Sequence, residues 1–339
     1  MKGEGSMKKS IKFLAYLLCA LLTIGTGVVP VAANELALSM EGKTFTASDG
    51  TVLPYRMYVP SAQAPQEGFS VYLHLHGEEG RGNDNLAQTA SGMELVNQII
   101  EEKGEEAIVL VPQCAQGAQW VDVPLAQGVY SIDQVAESLT IKAVMELLEQ
   151  IKTTYAVNIN QLYVGGHSMG GYGVWDLLAR YPGIFAAAIP VCGGADINEA
   201  HSMKQVAIRA YHSADDPVVP VFGTRNMVDS LKERSGNISY EEFADKGHEI
   251  WAEAYGASDQ VEWLFGKTLQ EEPAPALQGD VNADESIDAK DALETLKSAV
   301  GKVKLTEDAA LRADVNLDDK IDAKDALDIL KYAVGKIKE

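Results

Sequence analysis

The chain has 339 residues, which points to two domains rather than one. Hydrophobic residues make up 46%, enough for a sizeable buried core. The net charge of −21 argues against nucleic acid or an anionic membrane surface as a partner.

The first element along the chain is a targeting segment. Lys8, Lys9 and Lys12 precede an uncharged apolar run over 13–24, which Gly25, Gly27 and Pro30 break. Val31, Ala32 and Ala33 then offer a signal-peptidase site, so residues 1–33 are expected to be removed on secretion. An uncleaved anchor is the competing expectation, since 13–33 would nearly span a bilayer. The glycines, the proline and the cleavage-like end favour secretion, with no membrane insertion after cleavage.

A hairpin follows, with strands at 43–48 and 51–59 around Asp49-Gly50. Short apolar strands are then expected at 71–76, 107–111, 161–164, 186–191, 206–211 and 239–243. Helices lie between several of them, at 139–154 and 171–180 among others. That alternation predicts a mostly parallel, doubly wound α/β sheet. Cys114 and Cys192 follow strands that two others separate, beyond disulfide reach. The sheet domain is expected over 34–268. Residues 269–278 form a linker with Pro273 and Pro275, and a second domain covers 279–339.

Gly166-His167-Ser168-Met169-Gly170 sits between an expected strand and an expected helix. A tight strand-to-helix turn would lift the Ser168 hydroxyl out of the sheet, and the glycines let it close. Serine needs a base, and His201, His212 and His248 follow it. His248 lies past the last expected strand, where a loop returns it to the serine. The acid should end the strand before. Asp216 is preferred because Pro217 fixes the turn after it, and Asp215 is the alternative. The oxyanion should be met by the backbone N–H groups of Met169 and of Glu78, in the glycine-rich loop after His76. His74 and His76 read as packing residues rather than a metal pair. Trp120, Trp175 and Trp251 are candidates for a sugar or aromatic site, with Trp175 the best suited to the core.

These pieces resemble a known group: bacterial esterases related to the polyhydroxybutyrate-depolymerase and feruloyl-esterase families, often called prolyl-oligopeptidase-like. The matching segments are His76-Gly77 with residues 80–85, residues 166–182, Cys192-Gly193-Gly194, residues 216–220, and Gly247-His248 with Trp251. The resemblance implies an α/β-hydrolase fold and a Ser168, Asp216, His248 triad without a catalytic cofactor. Ser213 stands where a glycine is usual after His212, and Glu78-Glu79 makes the oxyanion loop acidic.

Residues 287–293 recur unchanged as 321–327. Asp280, Asn282, Asp284, Asp288 and Asp291 take positions 1, 3, 5, 9 and 12 of a calcium loop, with the Ser286 carbonyl at position 7. Asp314, Asn316, Asp318, Asp322 and Asp325 repeat the spacing, with Lys320 at position 7. A helix follows each loop. The small all-α module with its two loop–helix repeats closely resembles a cellulosomal dockerin binding two structural Ca²⁺. Glu285 and Asp319 depart from the glycine of position 6. The resemblance implies a cohesin partner, met at Ala289, Lys290, Leu296 and Lys297 or at the identical set Ala323, Lys324, Leu330 and Lys331. Two docking orientations follow.

The expected protein is a secreted, scaffold-associated serine esterase. It would remove acetyl or feruloyl groups from plant cell-wall polysaccharide, a substrate class that rests on the dockerin. A serine peptidase of the prolyl-oligopeptidase-like group is the alternative, and it would need a gating domain for which the chain has no room.

Overall fold

The computed structural model describes residues 40–269, 278–284, 286–316 and 320–335. The targeting segment, most of the linker, Glu285, Asp318 and Asp319 lie outside the described residues. The chain divides into two compact units between Lys267 and Thr268.

Strands β1 (Glu41–Thr46), β2 (Val52–Tyr58), β3 (Phe69–Leu75) and β4 (Ala107–Pro112) form half of one sheet. Strands β5 (Val157–His167), β6 (Ala187–Val191), β7 (Ala207–Ser213) and β8 (Ile238–Phe243) complete it. The order is β1-β2-β4-β3-β5-β6-β7-β8. β2 pairs antiparallel with β1 and β4, and every other pairing is parallel. The sheet is mostly parallel, as expected. β3, β4 and β6 are buried along their whole length. A parallel interior strand is covered on both faces, so it reads as a continuous apolar run. β5 starts at Val157, well before the expected 161. Its first half carries Asn158 and Asn160 around an exposed Ile159, so no apolar run marks it.

Helices α1 (Glu94–Lys103), α2 (Leu139–Thr154), α3 (Met169–Arg180), α4 (Phe222–Glu233), α5 (Trp251–Tyr255) and α6 (Gln260–Phe265) belong to the same unit. α2 shows why such segments are legible. Ser138 caps it by accepting from the Ile141 N–H at 3.1 Å. Ile141, Val144, Leu148 and Ile151 recur at helical spacing and are buried. They join a core with Leu73, Leu110, Val164 and Trp175. Each such side chain contributes about 1.5–3 kcal/mol by leaving water.

The C-terminal unit holds α7 (Ala289–Ala299), α8 (Glu307–Ala313) and α9 (Ala323–Ala333). α7 and α9 start with identical capping boxes, Asp288 with Asp291 and Asp322 with Asp325. They pack around a small core of Val281, Ala292, Ala309, Ala313 and Ile329. α8, capped by Thr306, adds a helix to the expected repeats.

Candidate active site

Ser168 alone separates β5 from α3, at φ 55° and ψ −119°. Few residues other than glycine adopt positive φ, and a strained turn here aims the hydroxyl away from the sheet. The flanking glycines have steric reasons. A Cβ on Gly166 would lie 2.5 Å from the Gly170 carbonyl oxygen, and one on Gly170 would lie 2.0 Å from that of Leu75.

The structure brings Ser168, His248 and Asp216 together. Ser168 Oγ lies 2.8 Å from His248 Nε2, and His248 Nδ1 lies 2.7 Å from Asp216 Oδ2. His248 comes from the loop between β8 and α5, and its carbonyl accepts the Cys192 thiol hydrogen at 3.3 Å. Asp216 follows β7, and its Oδ1 accepts the N–H groups of Val218 and Val219 at 2.8 and 2.9 Å. Burial raises the Asp216 pKa. Hydrogen bonds from His212 and His248 and from the two backbone N–H groups outweigh it and hold the carboxyl well below the usual range.

Asp215 belongs to a different network. Its Oδ1 accepts from Ser213 Oγ at 2.7 Å and from the Gly247 N–H at 2.8 Å. Ser213 Oγ in turn accepts the Lys246 N–H at 3.0 Å. Ser213 therefore ties the acid turn to the histidine loop. His201 is exposed on a surface 3-10 turn and bonds to the Asn198 carbonyl.

Glu78 and Met169 open the 3-10 turn Glu78–Gly80 and α3. Neither N–H has an acceptor in the helical pattern, which leaves both available to a ligand. The Glu78 carboxylate pairs with Arg81. Glu79 Oε1 lies 2.9 Å from His167 Nε2 and accepts from Ser91 Oγ. Burial raises the Glu79 pKa, but the His167 and Ser91 bonds prevail and bring it to about 2.

Ser168 and His248 open into a cavity of about 1010 Å³. Leu86, Leu125, Val218 and Trp251 give it apolar walls, while Glu79 and Glu249 contribute charge. The Trp251 ring meets His248 edge-on at 5.9 Å and covers His167 at 4.6 Å. Trp120 and Trp175 are fully buried, so of the three candidate tryptophans only Trp251 lines the cavity. His74 and His76 are buried in packing. Cys114 and Cys192 are free and buried. Among the described residues of this unit, Cys192, His212 and Asp216 form the one group of potential metal ligands, within 4.8 Å of one another. Their polar atoms are engaged in the hydrogen bonds of the acid turn.

In the first C-terminal loop, the Asp284 N–H donates to Asp280 Oδ1 at 3.1 Å and Asn282 Oδ1 at 2.8 Å. The Asn282 N–H donates to Asp291 Oδ1 at 3.1 Å. Side-chain oxygens of positions 1, 3 and 12 thus converge. In the second loop the Asn316 N–H donates to Asp325 Oδ1 at 3.4 Å. Asp291 and Asp325 are fully buried. Buried carboxylates are paired or hold a metal, and an all-oxygen donor set fits Ca²⁺. Asp288 and Asp322 also cap their helices, accepting the N–H groups of Lys290 and Lys324 at 2.6 Å.

Sheet and elbow define the α/β-hydrolase fold class. The family model for phospholipase/carboxylesterase matches residues 56–258, and the chain belongs to that family. The dockerin type I model matches residues 278–332, so the C-terminal unit is a type I dockerin. A thermostable esterase of known structure is 29% identical at a TM-score of 0.63. The match covers 69% of this chain and 64% of that one, so the chain spans less than two thirds of that esterase. A ferulic acid esterase is 14% identical at a TM-score of 0.49, over 67% of this chain and 98% of that one. Comparison with curated proteins finds no match.

Proposed function

We propose that the protein is a secreted serine esterase with Ser168 as nucleophile, His248 as base and Asp216 as its orienting acid. The observation that carries this reading is the unbroken hydrogen-bond chain from Asp216 through His248 to Ser168 at the floor of the cavity. Ser168 Oγ attacks the ester carbonyl carbon as His248 Nε2 takes its proton. The tetrahedral oxyanion is met by the N–H groups of Glu78 and Met169, a donor type worth about 10²–10³ in turnover. His248 then protonates the departing alcohol. Water, activated by the same imidazole, releases the acid from the acyl-enzyme.

The substrate in this reading is an acetyl or feruloyl ester on plant cell-wall polysaccharide. The apolar walls beside Ser168 would accept an aromatic acyl group, with Trp251 offering a ring face. The chain would comprise a signal peptide (1–33), an esterase domain (34–268), a linker (269–278) and a dockerin (279–339). Two Ca²⁺ would order the dockerin for a cohesin on an extracellular scaffold. Among the described residues no helix is long and apolar enough to cross a membrane.

The experiment is release of ferulate and acetate from isolated cell-wall material, beside nitrophenyl esters and peptide anilides. Ferulate or acetate release that Ser168→Ala abolishes supports the reading. Cleavage of anilides with no ester turnover overturns it in favour of a peptidase.

A further inference from the structure

His212 ends the apolar part of β7, and its side chain is fully buried. No step of the proposed hydrolysis uses it. Its ring is nevertheless held at both nitrogens. Nε2 lies 3.0 Å from the Val219 carbonyl oxygen and 3.3 Å from Asp216 Oδ2. Both partners only accept, so Nε2 carries a hydrogen and donates to the pair. Nδ1 lies 2.8 Å from Thr224 Oγ1, whose single hydrogen is shared between that nitrogen and the Gly193 carbonyl oxygen at 2.9 Å. The ring is thereby pinned to α4 and to the loop after β6.

The consequence lies at Asp216. A carboxylate offers about four lone-pair sites. Here Oδ1 takes two backbone N–H groups, while Oδ2 takes His248 Nδ1 and His212 Nε2. The aspartate side chain has no exposed surface, so water cannot replace a missing donor. The last torsion of aspartate is soft, and these bonds fix the carboxylate plane. That plane decides which lone pair His248 meets, and through it the aim of His248 Nε2 at Ser168.

We propose that His212 is a positioning residue that locks the Asp216 carboxylate in the orientation His248 needs. The proposal rests on the Ser168–His248–Asp216 reading. Burial works against the charge on Asp216, and the N–H groups of His212 and His248 both oppose it. The four-residue spacing has a clear origin. The chain turns back after β7, so the side chains of residues 212 and 216 meet inside the turn that Pro217 closes.

The test uses the full chain and a nitrophenyl ester, with turnover expressed per active site titrated by a fluorophosphonate. His212→Leu removes the donor. We expect kcat to fall about 10–100-fold with KM within about two-fold, the range for losing a hydrogen bond to a charged group. His212→Gln keeps an N–H within reach of Asp216 and should recover most of that loss. A residue with a merely structural role would lower the count of titratable sites and leave turnover per site unchanged. If His212→Leu does not fold, Thr224→Val decides, because it releases the ring from its other anchor. It should cost about ten-fold in kcat, one lost hydrogen bond's worth, with KM unchanged. Wild-type turnover per site in His212→Leu or, failing that variant, in Thr224→Val overturns the proposal. Equal losses in the Leu and Gln variants also overturn it. Ester turnover that survives Ser168→Ala sinks the underlying triad reading instead, so the two failures are distinguishable.

Discussion

In the turn after β7, the Asp216 carboxylate is buried and meets four donors from its own chain. In the dockerin, Asp291 and Asp325 are equally buried, and among the described residues each accepts two backbone N–H groups, at 2.9–3.4 Å. The first site completes itself because an eight-stranded sheet carries the residues that surround it. The second has a core of a few small side chains around Val281 and Ile329. A buried charge without enough partners costs several kcal/mol. The comparison teaches that two acid-rich turns in one chain can differ in kind. One is finished by protein, and in the proposed reading the other is finished by an ion.

The largest expected effect breaks the self-sufficient site at its centre. Ser168→Ala and His248→Ala should each lower ester turnover by about 10⁶-fold. Cohesin binding should be unchanged in the same samples. His201→Ala should be silent, since His201 sits on an exposed surface turn. Retention of more than a few per cent of turnover by the serine variant moves the nucleophile elsewhere.

Next in size is the contrast between adjacent carboxylates. Asp216→Asn should lower kcat by about 10⁴-fold, because the amide cannot hold the His248 imidazole in the required tautomer. Asp215→Asn keeps one oxygen for the Gly247 N–H and should cost less than about ten-fold, the worth of one hydrogen bond. The opposite order would make Asp215 the acid.

Much of this was legible along the chain. β3, β4 and β6 announce themselves as apolar runs, α2 by its Ser138 cap and its spacing, and the elbow by its glycines. The missing parts depend on contacts between distant segments. Ser168 and His248 are 80 residues apart, and Gly77 meets His167 across 90. Nothing near Cys192 reveals that its thiol holds the His248 carbonyl, or that Ser213 joins two loops. Such roles appear only once the sheet order puts β5, β6 and β7 side by side.

Chelation separates the two regions directly. Without Ca²⁺ the converging carboxylates of each loop repel, and a module this small has little core to offset chain entropy. EDTA should therefore abolish helical order beyond residue 279 and cohesin binding with it. Ester turnover should stay within about two-fold, since a Ser-His-Asp mechanism uses no metal. Circular dichroism, calorimetry and an ester assay on one sample check all three. Loss of ester turnover would show that the units are not independent.

A smaller effect belongs to Glu79. Its pKa falls from the ordinary 4.5 to about 2 on folding. The bonds that hold this carboxyl down therefore stabilise the fold above pH 4.5, and that contribution fades as pH drops toward 2. The Glu79 side chain is 43% exposed, so solvent screening holds the effect near 1 kcal/mol. Glu79→Gln should lower Tm by roughly 2–4 °C at neutral pH. The gap to wild type should shrink as pH falls through that window, and a gap that widened would reverse the assignment.

The smallest effect comes from the symmetry of the dockerin. Leu293 and Leu327 are both 50% exposed, Val300 and Val334 both 59%, and Leu296 and Leu330 42% and 40%. Lys290 and Lys324 follow identical caps. The two helices thus present the same leucines, valine and lysines to nearly the same degree, and a cohesin that accepts one should accept the other. Two equivalent modes double the population of bound states. Removing one mode raises Kd about two-fold, or about 0.4 kcal/mol. Substituting Ala289 and Lys290 together should therefore be nearly silent in calorimetric titration, and so should substituting Ala323 and Lys324. All four together should eliminate binding, because no intact face remains. Loss of binding from either single pair would show that one helix alone carries the interface, and the duplication would then serve calcium-dependent folding rather than docking.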